Sequence, residues 1–182
     1  MKQKWSNKVA FVGFVLAALC TSSALAADAR WKHVVGVITA TDNPATQTAE
    51  NFNSVGNVNA ATFAWSTRDG HARVNLDTGA VDFEVRGLVI IGTVFSGTAG
   101  PVQTVTGTLV CNPGTQTEAE LDTPDVPIDS NGNARFSGMI PGIPACTSPV
   151  FLVRIATIAN PQNPNGARGF WIATGTERTI NP

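Results

Sequence analysis

The segment DGHARVNLDTGAVDFEVRGL, residues 69–88, gathers His71, Arg73 and Arg86 with the acids Asp69, Asp77, Asp82 and Glu84. An imidazole beside a carboxylate is the usual pair for general acid–base work, because its proton exchanges near neutral pH. The same residues also alternate. His71, Arg73, Asn75 and Asp77 fall on one face, with Ala72, Val74 and Leu76 on the other. Val81, Phe83 and Val85 oppose Asp82, Glu84 and Arg86 in the same way. Period-two alternation describes strands with one buried and one solvated face. With Thr78-Gly79 as a two-residue turn, the inner pairs are Leu76/Val81, Val74/Phe83 and Ala72/Val85. The outer pairs are then Asn75/Asp82, Arg73/Glu84 and His71/Arg86. The cluster reads as the wet face of a hairpin, not as a catalytic site.

The other reactive residues lack supporting patterns. His33, in WKHVV, has neither H-x-H nor H-E-x-x-H spacing for zinc. Ser96, in VFSGT, is not in a G-x-S-x-G elbow, so a serine hydrolase here would need a triad assembled from distant segments. Glu118, Glu120, Asp122, Asp125 and Asp129 offer oxygen ligands of the kind calcium takes. Counted from Asp129 as an EF-hand, however, position 6 is Ala134 and position 12 is Ile140, where Gly and a bidentate Glu belong. Asn131-Gly132 reads instead as a turn. Trp31, Trp65 and Trp171 raise the idea of a sugar-stacking platform, but tryptophans on alternating strands are read as core. No catalytic, cofactor-binding or metal-ligating residue is assigned, and no cofactor is expected.

Both ends of the charge ledger point to export. Lys2, Lys4 and Lys8 precede an apolar run from Val9 to Leu19, and Ala24-Leu25-Ala26 follows. That order is a secretory signal, residues 1–26, with cleavage expected after Ala26. The run is too short for a span, which needs about 20 apolar residues. Leu19 before Cys20 argues against lipid attachment there. Residues 27–182 then form a single domain, with no transmembrane segment after cleavage. Without the three signal lysines, nine basic side chains face thirteen acidic ones, a net charge of −4. With Lys32 its only lysine and no basic run, this chain is not expected to bind nucleic acid. Cys111 and Cys146 remain, and in an oxidising compartment they are expected to pair.

At the level of elements, β-branched and apolar runs are bounded by Gly, Pro, Asn and Asp. Strands are expected near 31–40, 60–67, 70–77, 80–95, 102–111, 133–139, 149–158 and 168–177, with long polar loops between them. About eight short strands predict an all-β antiparallel sandwich or barrel of immunoglobulin-like size. The run GLVIIGTVF, 87–95, is apolar on both faces if strand 80–95 is continuous. Val89 and Ile91 extend the inner set, and Leu88 and Ile90 lie opposite, under either loop 41–59 or a second subunit. DGHARV at 69–74 is echoed by NGNARF at 131–136. Residues 70–88 resemble one strand pair of the bacterial domains of chordin type, whose histidine-rich segment and acidic-glycine ending have no counterpart here. The resemblance implies no activity.

The expectation is an exported β-domain, periplasmic or extracellular, acting as a non-enzymatic binding or surface module. Its partner is unknown, and self-association would use the apolar strand around Leu88 and Ile90. The alternative is a secreted hydrolase with a non-local site, and the third reading is a calcium- or carbohydrate-binding module.

Overall fold

Segments rich in Val, Thr, Phe and Ile become strands wherever Gly, Asn or Pro marks their ends. The computed structural model describes residues 27–38, 54–156 and 169–181. In chain order the strands are β1 (Asp28–Gly36), β2 (Ser54–Val55), β3 (Val58–Asn59), β4 (Trp65–Ser66), β5 (Asp69–Asn75) and β6 (Ala80–Arg86). They continue with β7 (Val89–Ile90), β8 (Thr104–Cys111), β9 (Ala119–Asp122), β10 (Val126–Pro127), β11 (Ala134–Met139), β12 (Pro149–Ile155) and β13 (Trp171–Asn181). One sheet runs β10-β8-β12-β13-β1-β5-β6-β11, with β9 beside β8. Its pairings are antiparallel throughout, so the expected all-β antiparallel architecture is the one observed.

The sheet curls into a half-barrel because its large inner side chains meet across it. Phe83 on β6 and Phe151 on β12 have three strands between them in sheet order, yet their ring centroids are 5.4 Å apart. Trp31 touches Phe151 at 5.6 Å, and Phe136 stacks on Phe83 at 6.3 Å. Four rings from β1, β12, β6 and β11 therefore join both walls of the core. Gly107 on β8 makes this approach feasible. A Cβ there would stand 2.7 Å from Phe83 Cε1 and 2.8 Å from Phe151 Cζ. The sheet's two ends, β10 and β11, face one another across a cleft of about 340 Å³ lined by Pro127, Ala134 and Arg135.

β8 is buried on both faces from Val105 to Cys111. Its threonines are accordingly satisfied: Thr106 Oγ1 donates to the Thr123 carbonyl at 2.8 Å, and Thr108 Oγ1 to the Asp122 carboxylate. The doubly covered strand is thus β8, not the 80–95 strand expected from GLVIIGTVF. That expected strand breaks at Gly87, whose φ of +66° side chains rarely adopt. The break shifts the alternation by one residue. Leu88 and Ile90 turn into the core, at 0% and 4% exposure, while Ile91 is 40% exposed. Their described neighbours include the 130–132 turn, the Thr98–Gly100 segment and β4, since Leu88 N–H donates to the Gly132 carbonyl, Ile90 N–H donates to the Thr98 carbonyl, and Trp65 lies opposite Ile90. Of the proposed cover, residues 41–53 lie outside the described residues, and 54–59 form the β2–β3 hairpin.

The β5–β6 hairpin is also corrected. Val74 opposes Val81, Ala72 opposes Phe83 and Gly70 opposes Val85, two residues away from the expected register. The loop is Leu76–Gly79 instead of Thr78-Gly79. Asn75 accounts for it: its Oδ1 accepts from the N–H groups of Asp77 and Thr78 and from Thr78 Oγ1. Gly79 closes the loop in a left-handed conformation, donating to the Asn75 carbonyl at 2.9 Å. A shift of two preserves the faces, so Val81, Phe83 and Val85 remain buried as expected. Of the expected strand at 60–67, only Trp65-Ser66 is extended, and the acidic loop contains β9 and β10.

Candidate functional site

The opening cluster stays on the wet face. His71 is opposite Glu84, and its Nε2 lies 3.5 Å from Asp82 Oδ1 with both side chains about half exposed. The expected Arg73/Glu84 and His71/Arg86 pairs are replaced. Arg86 bonds Glu84 on its own strand at 2.6 Å, and Arg73 reaches back to β1. The echo in the sequence acquires a place, because β5 and β11 flank β6 and set Arg73 opposite Asp82 and Arg135 opposite Glu84. His33 is equally open, 3.8 Å from Glu177 on β13. Neither histidine lines a described concavity.

Arg73 leads to a cluster the sequence reading did not single out. Arg30 and Arg73 are directly opposite on β1 and β5, an unfavourable arrangement of like charges. Asp28, 8% exposed, resolves it by accepting from Arg73, from Arg30 Nη2 at 3.1 Å and from Asn75 Nδ2 at 3.2 Å. The Arg73 bond, then the Arg30 bond, hold its carboxyl below the ordinary value against the opposing effect of burial. Its signal in the sequence was only an acid two residues before an arginine. A similar arrangement holds β12 to β9: buried Arg154 donates through Nη1 to Glu120 at 2.8 Å and through Nε to the Gly169 carbonyl.

Of the acidic loop, Glu120 is thereby engaged, Asp122 accepts from Thr108, and two more members serve the backbone. Glu118 accepts from the N–H groups of Asn57 and Gly114 at 2.8 and 2.6 Å, fastening the β2–β3 hairpin. Asp129 accepts from the Asn133 backbone and side chain, both at 2.9 Å, and those bonds lower its carboxyl below the ordinary value. Among the described residues no group of three or more His, Cys, Asp or Glu side chains is placed to hold a metal ion. The tryptophans are interior, at 2%, 3% and 6% exposure for Trp31, Trp65 and Trp171, so they form no sugar platform.

Cys111 and Cys146 are bonded, with Cα atoms 5.0 Å apart, as expected. Asn112 organises the loop beside them from a left-handed φ of +50°. Its Nδ2 donates to the Ala145 carbonyl at 2.8 Å, and its Oδ1 accepts from Thr147 and Ser148 N–H groups.

A second concavity lies where β4, the break after β6 and the 129–133 turn converge. It is a groove of about 760 Å³ lined by Ser66, Arg68, Gly87, Val89, Gly97, Asn131 and Asn133. Its wall is built by the turn. Asn133 Oδ1 accepts from Gly87 N–H at 3.2 Å, and the Gly132 carbonyl accepts from Leu88 N–H at 2.9 Å. Arg68 has no ion-pair partner among the described residues, although its N–H is fixed to the Arg86 carbonyl at 3.0 Å. A guanidinium, a hydroxyl and an amide on one groove supply directional hydrogen bonds and one positive charge. Beside it, Ile91, Val94 and Phe95 are exposed on the turn leading to Gly97. No family model matches the chain, and no curated protein or solved structure shows significant similarity to it.

Proposed function

We propose that the chain is an exported binding module that recognises a polar ligand through the Arg68 groove and performs no chemistry on it. The observation that carries the reading is the lining of the groove, where Arg68, Ser66 and Asn131 offer hydrogen-bond groups without an adjacent acid–base pair. Arg68 suits a carboxylate, which it can meet with two parallel bonds, while Ser66 and Asn131 suit hydroxyls. Export is supported by the Cys111–Cys146 bond and by the basic, apolar, Ala-Leu-Ala order of residues 1–26. Among the described residues no helix is long and apolar enough to cross a membrane. Leu88 and Ile90 are internal, so association between copies would use their exposed neighbours Ile91, Val94 and Phe95.

Titration calorimetry with a glucuronate-containing oligosaccharide and its neutral glucose counterpart tests the reading. Preference for the acidic sugar, lost on Arg68→Ala but retained on His71→Ala, is the expected result. Hydrolysis of ester or glycoside substrates that disappears on His71→Ala would establish the hydrolase alternative in its place.

A further inference from the structure

The first described residue is held at both of its backbone groups by consecutive residues of the β5–β6 loop. Ala27 N–H donates to Asp77 Oδ2 at 3.1 Å, and the Ala27 carbonyl accepts from Leu76 N–H at 2.8 Å. The adjoining ladder, with Asp28 opposite Asn75, sets the position of that nitrogen. Ala27 is also the residue that follows the Ala24-Leu25-Ala26 signal.

We propose that Asp77 is a receptor for the new amino terminus made when the chain is cut between Ala26 and Ala27. The inference rests on the export reading above. Hydrolysis of that peptide bond consumes one water, leaves a carboxylate on Ala26 and frees the Ala27 amine, which takes up a proton at neutral pH. A neutral amide donor carrying one hydrogen thereby becomes an ammonium carrying three, at a nitrogen already within hydrogen-bond distance of a carboxylate. The processed protein gains an ion pair that the precursor does not have, clamping the start of β1 to the β5–β6 loop.

Neighbouring charges leave Asp77 as the acid for this role. Asp28, the residue next to Ala27, is already bonded by Arg73, Arg30 and Asn75. Arg178 of β13 donates to the Pro149 carbonyl. Pairing raises the folded α-amine above its unfolded value of about 7.7–8.0. The contribution to stability is complete below that unfolded value and is lost as pH rises through the folded one.

The test uses the exported protein, first weighed intact and then acetylated with acetic anhydride over pH 6–10, the amino-terminal peptide being read by mass spectrometry. Expected are a first residue of Ala27 and a midpoint roughly 0.5 pH unit higher than in Asp77→Asn, about threefold lower reactivity at pH 7. Asp77→Glu should retain part of the shift, and 1 M salt should erase most of it, because the pair is exposed. An Ala27 terminus whose midpoint ignores both Asp77→Asn and salt overturns the receptor role and leaves export standing. A terminus elsewhere overturns the cleavage position and the receptor role together.

Discussion

Asp28 shows how one carboxylate decides whether two strands can pair. Without it, Arg30 and Arg73 would face one another across β1 and β5. Their bonds to it hold its carboxyl below the ordinary value, so its contribution is present above the unfolded value of about 3.9 and fades as pH falls through the folded one. Asp28→Asn should therefore destabilise the protein at pH 7 by about 1–2 kcal/mol, discounted because both arginines are half exposed. The difference should shrink as pH drops from 5 toward 2. Urea unfolding at a series of pH values measures it, and a constant difference would show that Asp28 acts through packing alone.

At the scale of the element, the β5–β6 hairpin separates a buried face from a solvated one. Phe83 is 1% exposed and touches Phe136 and Phe151, so Phe83→Ala should cost about 3–5 kcal/mol through lost transfer energy and the cavity left behind. His71→Ala should cost under about 1 kcal/mol, because its contact with Asp82 is open to water. Urea melts of the two variants compare them directly, and a harmless Phe83→Ala would mean that the ring is not a core anchor. Alternation along 71–86 is enough to assign these faces. It is not enough to assign register, because a two-residue slip leaves every side chain on its own side. Asn75 breaks that tie through three hydrogen bonds, which only its loop conformation brings together.

Over the whole molecule, the rings of Trp31, Phe151, Phe83 and Phe136 close the curl from within, and the disulfide fastens one end of β8 to the loop before β12. Cys111 and Cys146 are 35 residues apart, so their bond should contribute about 3.5–4 kcal/mol by restricting the unfolded chain. Thiol titration of the denatured, unreduced protein should find no free thiol in residues 27–182. The reduced protein should unfold at correspondingly lower urea. Two free thiols without reductant would remove this contribution and the main support for an oxidising compartment.

Composition and period were enough to determine the all-β class, the wet and dry faces of the hairpin, the burial of the tryptophans and the cysteine pairing. The first three depend on the residue itself or on neighbours one or two positions away, whereas the pairing follows from Cys111 and Cys146 being the two cysteines of residues 27–182. Tertiary structure decided the rest. Gly87 turns Leu88 and Ile90 inward, which an uninterrupted period of two cannot anticipate, because the flip needs a backbone angle that only the surrounding contacts select. β9 and β10 lie hidden in a polar loop because their partner, β8, supplies the pairing that local propensity lacks. The Arg68 groove is the most distant from the sequence: it joins residues 66–68, 87–89, 97 and 131–133, which share no motif. Hydrogen bonds from Gly87 and Leu88 to the 129–133 turn bring them together, and those bonds continue the pairing of β6 with β11, which lies far along the chain.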